Sequence, residues 1–162
     1  MKSRRLTLLA MLAALSAVGA AIKIPAIVGS VALDSFPALL AGALLGGPAG
    51  AAAAGVGHLL SALFSGMPLG PLHVLIAAEM AILVCFFFFL YRTGKHWLAG
   101  ILFIIGNSFA APLPFLFLMG EAFYLSIVPS LLAGSILNTV TAILIIPRIV
   151  RALEHTIEGK TT

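Results

Sequence analysis

The side chains that could do chemistry in this 162-residue chain are few, and they lie within apolar stretches rather than in polar motifs. His58 and His73 flank the segment Ser65 to Pro71, and Glu79 follows His73 by six residues. An ionisable group at membrane depth is costly, so each one needs a paired partner, a bound ligand or a water-filled cavity. The three residues are therefore a candidate ligand or ion site, although either histidine could instead simply pack near the interface.

Further polar side chains follow in the last two apolar stretches, where Asn107, Tyr124 and Asn138 occur. A few polar groups in an otherwise apolar wall are typical of a small-molecule pocket, so we add these three to the predicted substrate-binding residues. Asn138 could equally hold helices together. Asp34 is expected to cap the helix that follows it.

The sequence does not indicate catalysis. Two histidines and a carboxylate could bind a divalent ion, but the chain lacks a close ligand spacing such as HExxH. It also lacks the phosphate-binding motif GxxxxGK[ST] and the hydrolase motif GxSxG. We therefore predict a binding protein rather than an enzyme, with no resident metal or cofactor.

The composition defines the setting of these residues. Hydrophobic residues make up 62% of the chain and charged residues 9%, whereas a soluble domain carries about 25% charged residues. This balance predicts an integral membrane protein and excludes a soluble enzyme. The single cysteine, Cys85, excludes a disulfide scaffold. The net charge of +4 comes from basic residues between apolar stretches, which is a topology signal and not a nucleic-acid site.

The apolar stretches predict an all-α bundle of six transmembrane helices in a single domain, residues 1–162. A membrane span needs about 20 apolar residues. The predicted spans are residues 6–22, 35–45, 49–64, 72–91, 97–119 and 123–150. The second is short for a full crossing, so we expect it to tilt or to cross incompletely. The fifth contains two prolines, Pro112 and Pro114.

The basic residues predict the orientation of the bundle. Six spans place eight of the nine lysines and arginines on one side and leave only Lys23 on the other. By the positive-inside rule, both termini are then cytoplasmic. An alternative is that residues 2–20, which begin with Lys2-Ser3-Arg4-Arg5 and end in small residues, form a cleavable signal peptide. Cleavage would remove the first span.

Small residues recur along the first predicted helix. Ala10, Ala14, Ala17 and Ala21 are spaced by four, three and four residues, which places them on one helix face. Such faces mark where another helix approaches in lipid. The approaching helix could be the third or sixth span of this chain, or it could belong to a partner subunit.

Three segments taken in order resemble the substrate-binding S components of energy-coupling factor (ECF) vitamin transporters. They are the AxxxA spacing from Ala10 to Ala14, the run LDSFPALLAG from Leu33 to Gly42, and LGGPAG from Leu45 to Gly50. The resemblance implies a multi-pass protein of a prokaryotic cell membrane that captures a vitamin or vitamin precursor outside the cell. It also implies docking through Ala10, Ala14 and Ala17 onto a transmembrane coupling subunit that carries two cytosolic ATPases.

The resemblance also suggests a ligand. The stretch from Gly57 to Ala62, continuing through Pro71 to Glu79, is similar to members tied to cobalamin precursors, notably α-ribazole. The outer ends of helices 4 to 6 would then contact the ligand. Two other functions remain open at this stage, namely a membrane scaffold for cell shape or assembly and a small integral enzyme acting on lipids.

Overall fold

The computed structural model describes residues 2–21, 24–25, 30–31 and 33–158, with the side chains of residues 3–20 and 33–152. Its helices are α1 (Lys2–Ala21), α2 (Ser35–Leu45), α3 (Gly47–Phe64), α4 (Leu72–Arg92), α5 (His96–Ile105), a π-helical turn (Gly106–Ala110), α6 (Leu113–Met119) and α7 (Glu121–Glu158). The only strands in these ranges are β1 (Ile24–Pro25) and β2 (Ser30–Val31), which pair antiparallel. The predicted helical fold is therefore confirmed, apart from a two-residue ladder that the apolar pattern does not predict.

Five segments within the described ranges are long and apolar enough to cross a membrane. They are Ser3–Ala20, Gly47–Phe64, Leu72–Arg92, His96–Met119 and Glu121–Ala152. Helix α2 has only 11 residues, which gives a length of about 16 Å against a hydrocarbon core of about 30 Å. The second predicted span is thus a short apolar helix, as its length suggested.

One face of α1 packs directly on α3. A Cβ built on Gly57 would lie 2.5 Å from Ser16 Cβ and 3.4 Å from the carbonyl oxygen of Ala13, so only glycine allows the two backbones to approach this closely. Leu12 on α1 belongs to the hydrophobic core. The helix of this chain that approaches α1 at Ala13 and Ser16 is therefore the third predicted span, and α1 is an integral part of the bundle.

Helices α2 and α3 form a tight hairpin around Gly46, whose φ of +99° strongly favours glycine. Within the hairpin, a Cβ on Gly50 would lie 2.6 Å from Gly42 Cα, so the two helices touch through their backbones. Leu39 of α2 is fully buried, and it joins a core that includes Val84 of α4. Helix α2 is thus a central element despite its short length.

The fifth predicted span is broken by a π-helical turn. The N–H of Ala111 donates to the carbonyl oxygen of Gly106, five residues back, at 2.8 Å. Gly106, Asn107 and Ser108 of this turn are all buried, and the extra residue shifts the helical register of the residues that follow it. Pro112 lies two residues after the turn and, having no N–H group, cannot donate a backbone hydrogen bond to it.

Candidate functional site

His58 of α3 and His73 of α4 are in direct contact. His58 Nε2 lies 3.1 Å from His73 Nδ1, and the backbone N–H of Leu69 donates to His73 Nε2 at 3.3 Å. Because His73 Nε2 accepts a hydrogen bond, it carries no proton, and the neutral ring holds its proton on Nδ1. His73 therefore donates to His58, and His58 carries its own proton on Nδ1. No hydrogen bond to that Nδ1 lies within the described part of the chain.

The α3–α4 turn positions Leu69 for this contact. At the end of α3 the N–H of Met67 donates to Ala62 O at 2.8 Å, and the N–H of Gly66 donates to Leu63 O at 3.1 Å. With Gly66 at a φ of +81°, these two bonds form a Schellman motif. The backbone thus fixes the tautomers of both histidines, because it places an N–H donor beside His73.

Glu79 lies on a different face of α4 from His73. It is one helical turn before Leu83, whose side chain would overlap a Cβ on Gly106, so this face is directed at the π-helical turn. The carboxylate oxygen Oε2 of Glu79 is buried and has no hydrogen-bond partner among the described residues. The structure therefore brings the two histidines together but does not bring Glu79 into contact with them.

Asn107 is held by a residue that the sequence analysis missed. Its Nδ2 donates to Ser135 Oγ of α7 at 2.8 Å, and both side chains are buried. Asn107 lies within the π-helical turn, so this bond joins the turn to α7. Serine is common in helices, so nothing in the spacing of Ser135 could have marked it as a partner.

Asn138 caps α2 from a position more than 100 residues away in sequence. Its Oδ1 accepts hydrogen bonds from the N–H groups of Ser35, at 3.1 Å, and Phe36, at 2.8 Å, and its Nδ2 donates to Gly134 O at 2.8 Å. Asp34 makes no side-chain capping bond, so its predicted role as the helix cap is wrong. Asp34 instead accepts a hydrogen bond from Ser35 Oγ at 3.0 Å. Asn138 is thus engaged structurally, as one of our two interpretations expected.

Asp34 lies just before α2 and outside the five candidate spans. Burial raises the pKa of its carboxyl group, and the hydrogen bond from Ser35 opposes this shift only in part. The folded chain therefore favours the protonated form of Asp34 more than the unfolded chain does.

Tyr124 anchors the start of α7 to the broken span. Its hydroxyl group donates to the carbonyl oxygen of Phe109 at 3.2 Å, within the π-helical turn. Tyr124 therefore bonds to the backbone of the π-helical turn, and Asn107 is part of the same turn. The π-helical turn thus links these two predicted residues, although they are not shown to contact each other.

The three predicted docking alanines of α1 do not share one environment. Ala10 and Ala14 are exposed, beside other exposed apolar residues of α1 such as Met11 and Leu15. Ala17 is 6% exposed and lies on the inward face. Only Ala10 and Ala14 are thus open to a partner, because the bundle covers this side of α1 at position 17 but leaves it open at positions 10 and 14.

The described residues contain no group of three or more histidine, cysteine or acidic side chains that could hold a metal ion. Of the polar residues considered, His58 Nδ1 and Glu79 Oε2 have unused hydrogen-bonding capacity within the described ranges, whereas His73, Asn107 and Asn138 have protein partners. Long apolar segments with a few such polar groups define a multi-pass membrane protein with a candidate small-molecule site.

Comparison with known proteins identifies the family of membrane proteins to which the chain belongs. A family model described as "ECF transporter, substrate-specific component" matches residues 4–158, and the chain belongs to this family. Among solved structures the chain is similar to the S component of a bacterial ECF transporter, with 26% sequence identity and a TM-score of 0.70 over 94% of this chain and 99% of that chain. No curated protein sequence matches the chain.

Family membership fixes the general function. S components are substrate-binding transporter subunits and not enzymes, and they work in a prokaryotic plasma membrane with the partners of the ECF module. The scaffold and lipid-enzyme alternatives have no support from this family.

Proposed function

We propose that this chain captures α-ribazole or a related cobalamin precursor and delivers it through an ECF coupling subunit with two cytosolic ATPases. The observation that carries the proposal is the pair of uncommitted polar atoms, His58 Nδ1 and Glu79 Oε2, on neighbouring helices. α-Ribazole is an azole nucleoside. Its ring nitrogen can accept a hydrogen bond, and its ribose hydroxyl groups can donate hydrogen bonds. His58 supplies the matching donor and Glu79 the matching acceptor.

The remaining predicted residues have supporting roles in this proposal. His73 fixes the tautomer of His58, and Asn107 and Tyr124 hold the broken span that faces Glu79. Asn138 acts indirectly, because it caps α2 and so holds that helix in position. The half-exposed ring of Phe109, next to Tyr124, offers an apolar surface for the azole ring.

The orientation of the bundle is part of the same proposal. Arg5 of α1 donates to Leu45 O at the end of α2, and Cys85 near the end of α4 contacts Gly47 O at the start of α3. These two contacts support an arrangement in which the basic residues of α1 and of the α4–α5 turn share one end. We assign that end, with both termini, to the cytoplasm.

The first experiment is ligand retention by the full chain. The protein is purified in mild detergent and denatured, and any released small molecule is identified by mass spectrometry. In parallel, α-ribazole is titrated by calorimetry against the wild type, Glu79→Leu and a control variant. The control is Glu154→Leu, which removes a carboxylate from the C-terminal part of α7. Loss of one hydrogen bond to a charged group should weaken binding about 10- to 100-fold in Glu79→Leu only.

The outcomes separate the ligand from the site. A different vitamin in the extract would keep the transport function and refute the cobalamin precursor. Equal affinity of the wild type and Glu79→Leu for α-ribazole would refute the assigned role of Glu79.

Docking on the coupling subunit is proposed to use the exposed face of α1. Ala10 and Ala14 are small and lie among exposed apolar side chains, so a helix of the partner could approach closely there. Ala17 supports this face from behind through its contact with the bundle and does not itself touch the partner.

A further inference from the structure

An apolar groove of about 330 Å³ runs between α3 and α4 on the outside of the bundle. It is lined by Ala51, Ala81, Ile82, Cys85, Phe86 and Phe89. Ile82, Phe86 and Phe89 are each more than half exposed. These residues are on a membrane span, so the surroundings of the groove are hydrocarbon and not water. The groove lies apart from both the histidine pair and the exposed face of α1.

Two cations follow the groove-lining residues of α4 along the chain. Arg92 is one turn beyond Phe89 on the same side of α4, and Lys95 follows in the α4–α5 turn. Both side chains are exposed, and neither makes a hydrogen bond or an ion pair within the described part of the chain. By contrast, Arg5 is bonded to Leu45 O and Arg151 to Pro147 O.

Among residues 3–20 and 33–152, whose side chains are described, no carboxylate pairs with these cations. Asp34 precedes α2, and Glu121 begins α7. Glu79 is 13 residues from Arg92 along α4, a separation of about 20 Å at the helical rise. The two positive charges therefore lack a counter-charge among the side chains of residues 3–20 and 33–152.

The length of the groove matches one leaflet of a bilayer. Its deepest residue on α4, Ala81, is 11 residues from Arg92, or about 16 Å along the helix. Half of the hydrocarbon core is about 15 Å. The acyl chain of a lipid whose charged headgroup is bound at Arg92 would thus reach the middle of the membrane at Ala81.

We propose that this groove is a binding site for an anionic glycerophospholipid. One acyl chain lies between α3 and α4 against Cys85, Phe86 and Phe89, and the phosphate group pairs with Arg92 and Lys95. An uncharged or zwitterionic lipid would fill the groove equally well, but it would gain less from the two cations. The site does not depend on which substrate the transporter carries.

The turn that carries the cations has a defined backbone. The N–H of Lys95 donates to Leu90 O at 3.2 Å and the N–H of Gly94 donates to Tyr91 O at 3.1 Å, so α4 ends in a Schellman motif with Gly94 at a φ of +80°. The ring of Tyr91 stacks on that of His96 with centroids 4.1 Å apart. Arg92 and Lys95 thus project from a fixed turn, which favours a specific site over diffuse attraction.

The test is native mass spectrometry of the delipidated full chain with equal amounts of phosphatidylglycerol and phosphatidylcholine. We expect a preference for phosphatidylglycerol that falls about tenfold or more in Arg92→Gln/Lys95→Gln. The control Arg148→Gln/Arg151→Gln removes the same charge from α7 and should keep the preference. Soluble glycerol 3-phosphate should not compete, because it lacks the acyl chain.

A second variant tests the groove itself. Ala51→Phe fills the space between α3 and α4 and should reduce retention of phosphatidylglycerol while both cations remain. Circular dichroism and size-exclusion chromatography identify variants that fail to fold, and for those the charge variant decides. The proposal is overturned if wild type shows no preference for phosphatidylglycerol, if both charge variants lower it equally, if Arg92→Gln/Lys95→Gln keeps it, or if a folded Ala51→Phe binds like the wild type.

Discussion

Asn138→Ala should destabilise the protein through an effect on a helix far away in sequence. The substitution removes the acceptor that serves the N–H groups of Ser35 and Phe36 at the start of α2. Asn138 is 2% exposed, so water cannot easily replace its Oδ1. The N–H group of Ser35, which is buried, and that of Phe36, which is partly buried, would then lose their partner.

The magnitude follows from these two bonds. Leaving one buried donor unsatisfied costs about 1–3 kcal/mol, and loss of a helix cap typically costs about 1 kcal/mol. We therefore expect Asn138→Ala to lower the free energy of unfolding by about 2–4 kcal/mol. For a chain of this length that corresponds to a decrease in unfolding temperature of about 5–15 °C.

The assay is thermal unfolding in detergent, followed by circular dichroism at the helical band. Thr141→Ala is the matched control, because the Thr141 hydroxyl group bonds only to Leu137 O of its own helix, at 2.7 Å. The reasoning is refuted if Asn138→Ala unfolds within about 1 °C of the wild type, or if the control is destabilised to the same extent.

Other predictions concern packing, docking and pH. Gly57→Ala should lower the free energy of unfolding by about 1–3 kcal/mol, because its Cβ would overlap α1. The control is Gly55→Ala, since a Cβ there would have only one ordinary contact, at 3.5 Å. It should be neutral or stabilising in the same thermal assay. Ala14→Leu should leave the isolated protein stable but prevent copurification with the coupling subunit, whereas Ala17→Leu should destabilise the isolated protein; the reverse pattern would contradict the docking face. Since burial raises the pKa of Asp34 in the folded state, wild-type stability should fall as the pH rises above the usual value of about 3.9. Asp34→Asn should therefore be more stable than the wild type at pH 7 and equal to it below pH of about 3.5; no gain at pH 7 would refute this.

The membrane class and the spans could be predicted because hydropathy is a local property. A stretch such as Leu72–Arg92 must be apolar over its whole length to lie in lipid, and its own residues suffice to show this. The break in the fifth span was only partly predictable. Pro112 and Pro114 indicate an irregular helix, but they do not determine that a π-helical turn precedes them.

The cap on α2 shows where such reasoning fails. Asp34 has the residue type and the position of an N-cap, yet the capping oxygen comes from Asn138 on another helix. A backbone N–H accepts whichever oxygen the folded bundle brings within reach, and the bonds from Asn138 span 102 and 103 residues. No local pattern contains that information.

The sequence by itself determined that this protein is a helical membrane protein, which polar residues could bind a ligand, and that its family is that of the S components. The tertiary structure decided which of those polar atoms already have partners. It directed Asn138 to α2 and Asn107 to Ser135, and within the described ranges it left His58 Nδ1 and Glu79 Oε2 unsatisfied. The reason is that residue type sets how many hydrogen bonds a side chain can make, whereas the packing of distant helices sets how many of them are made.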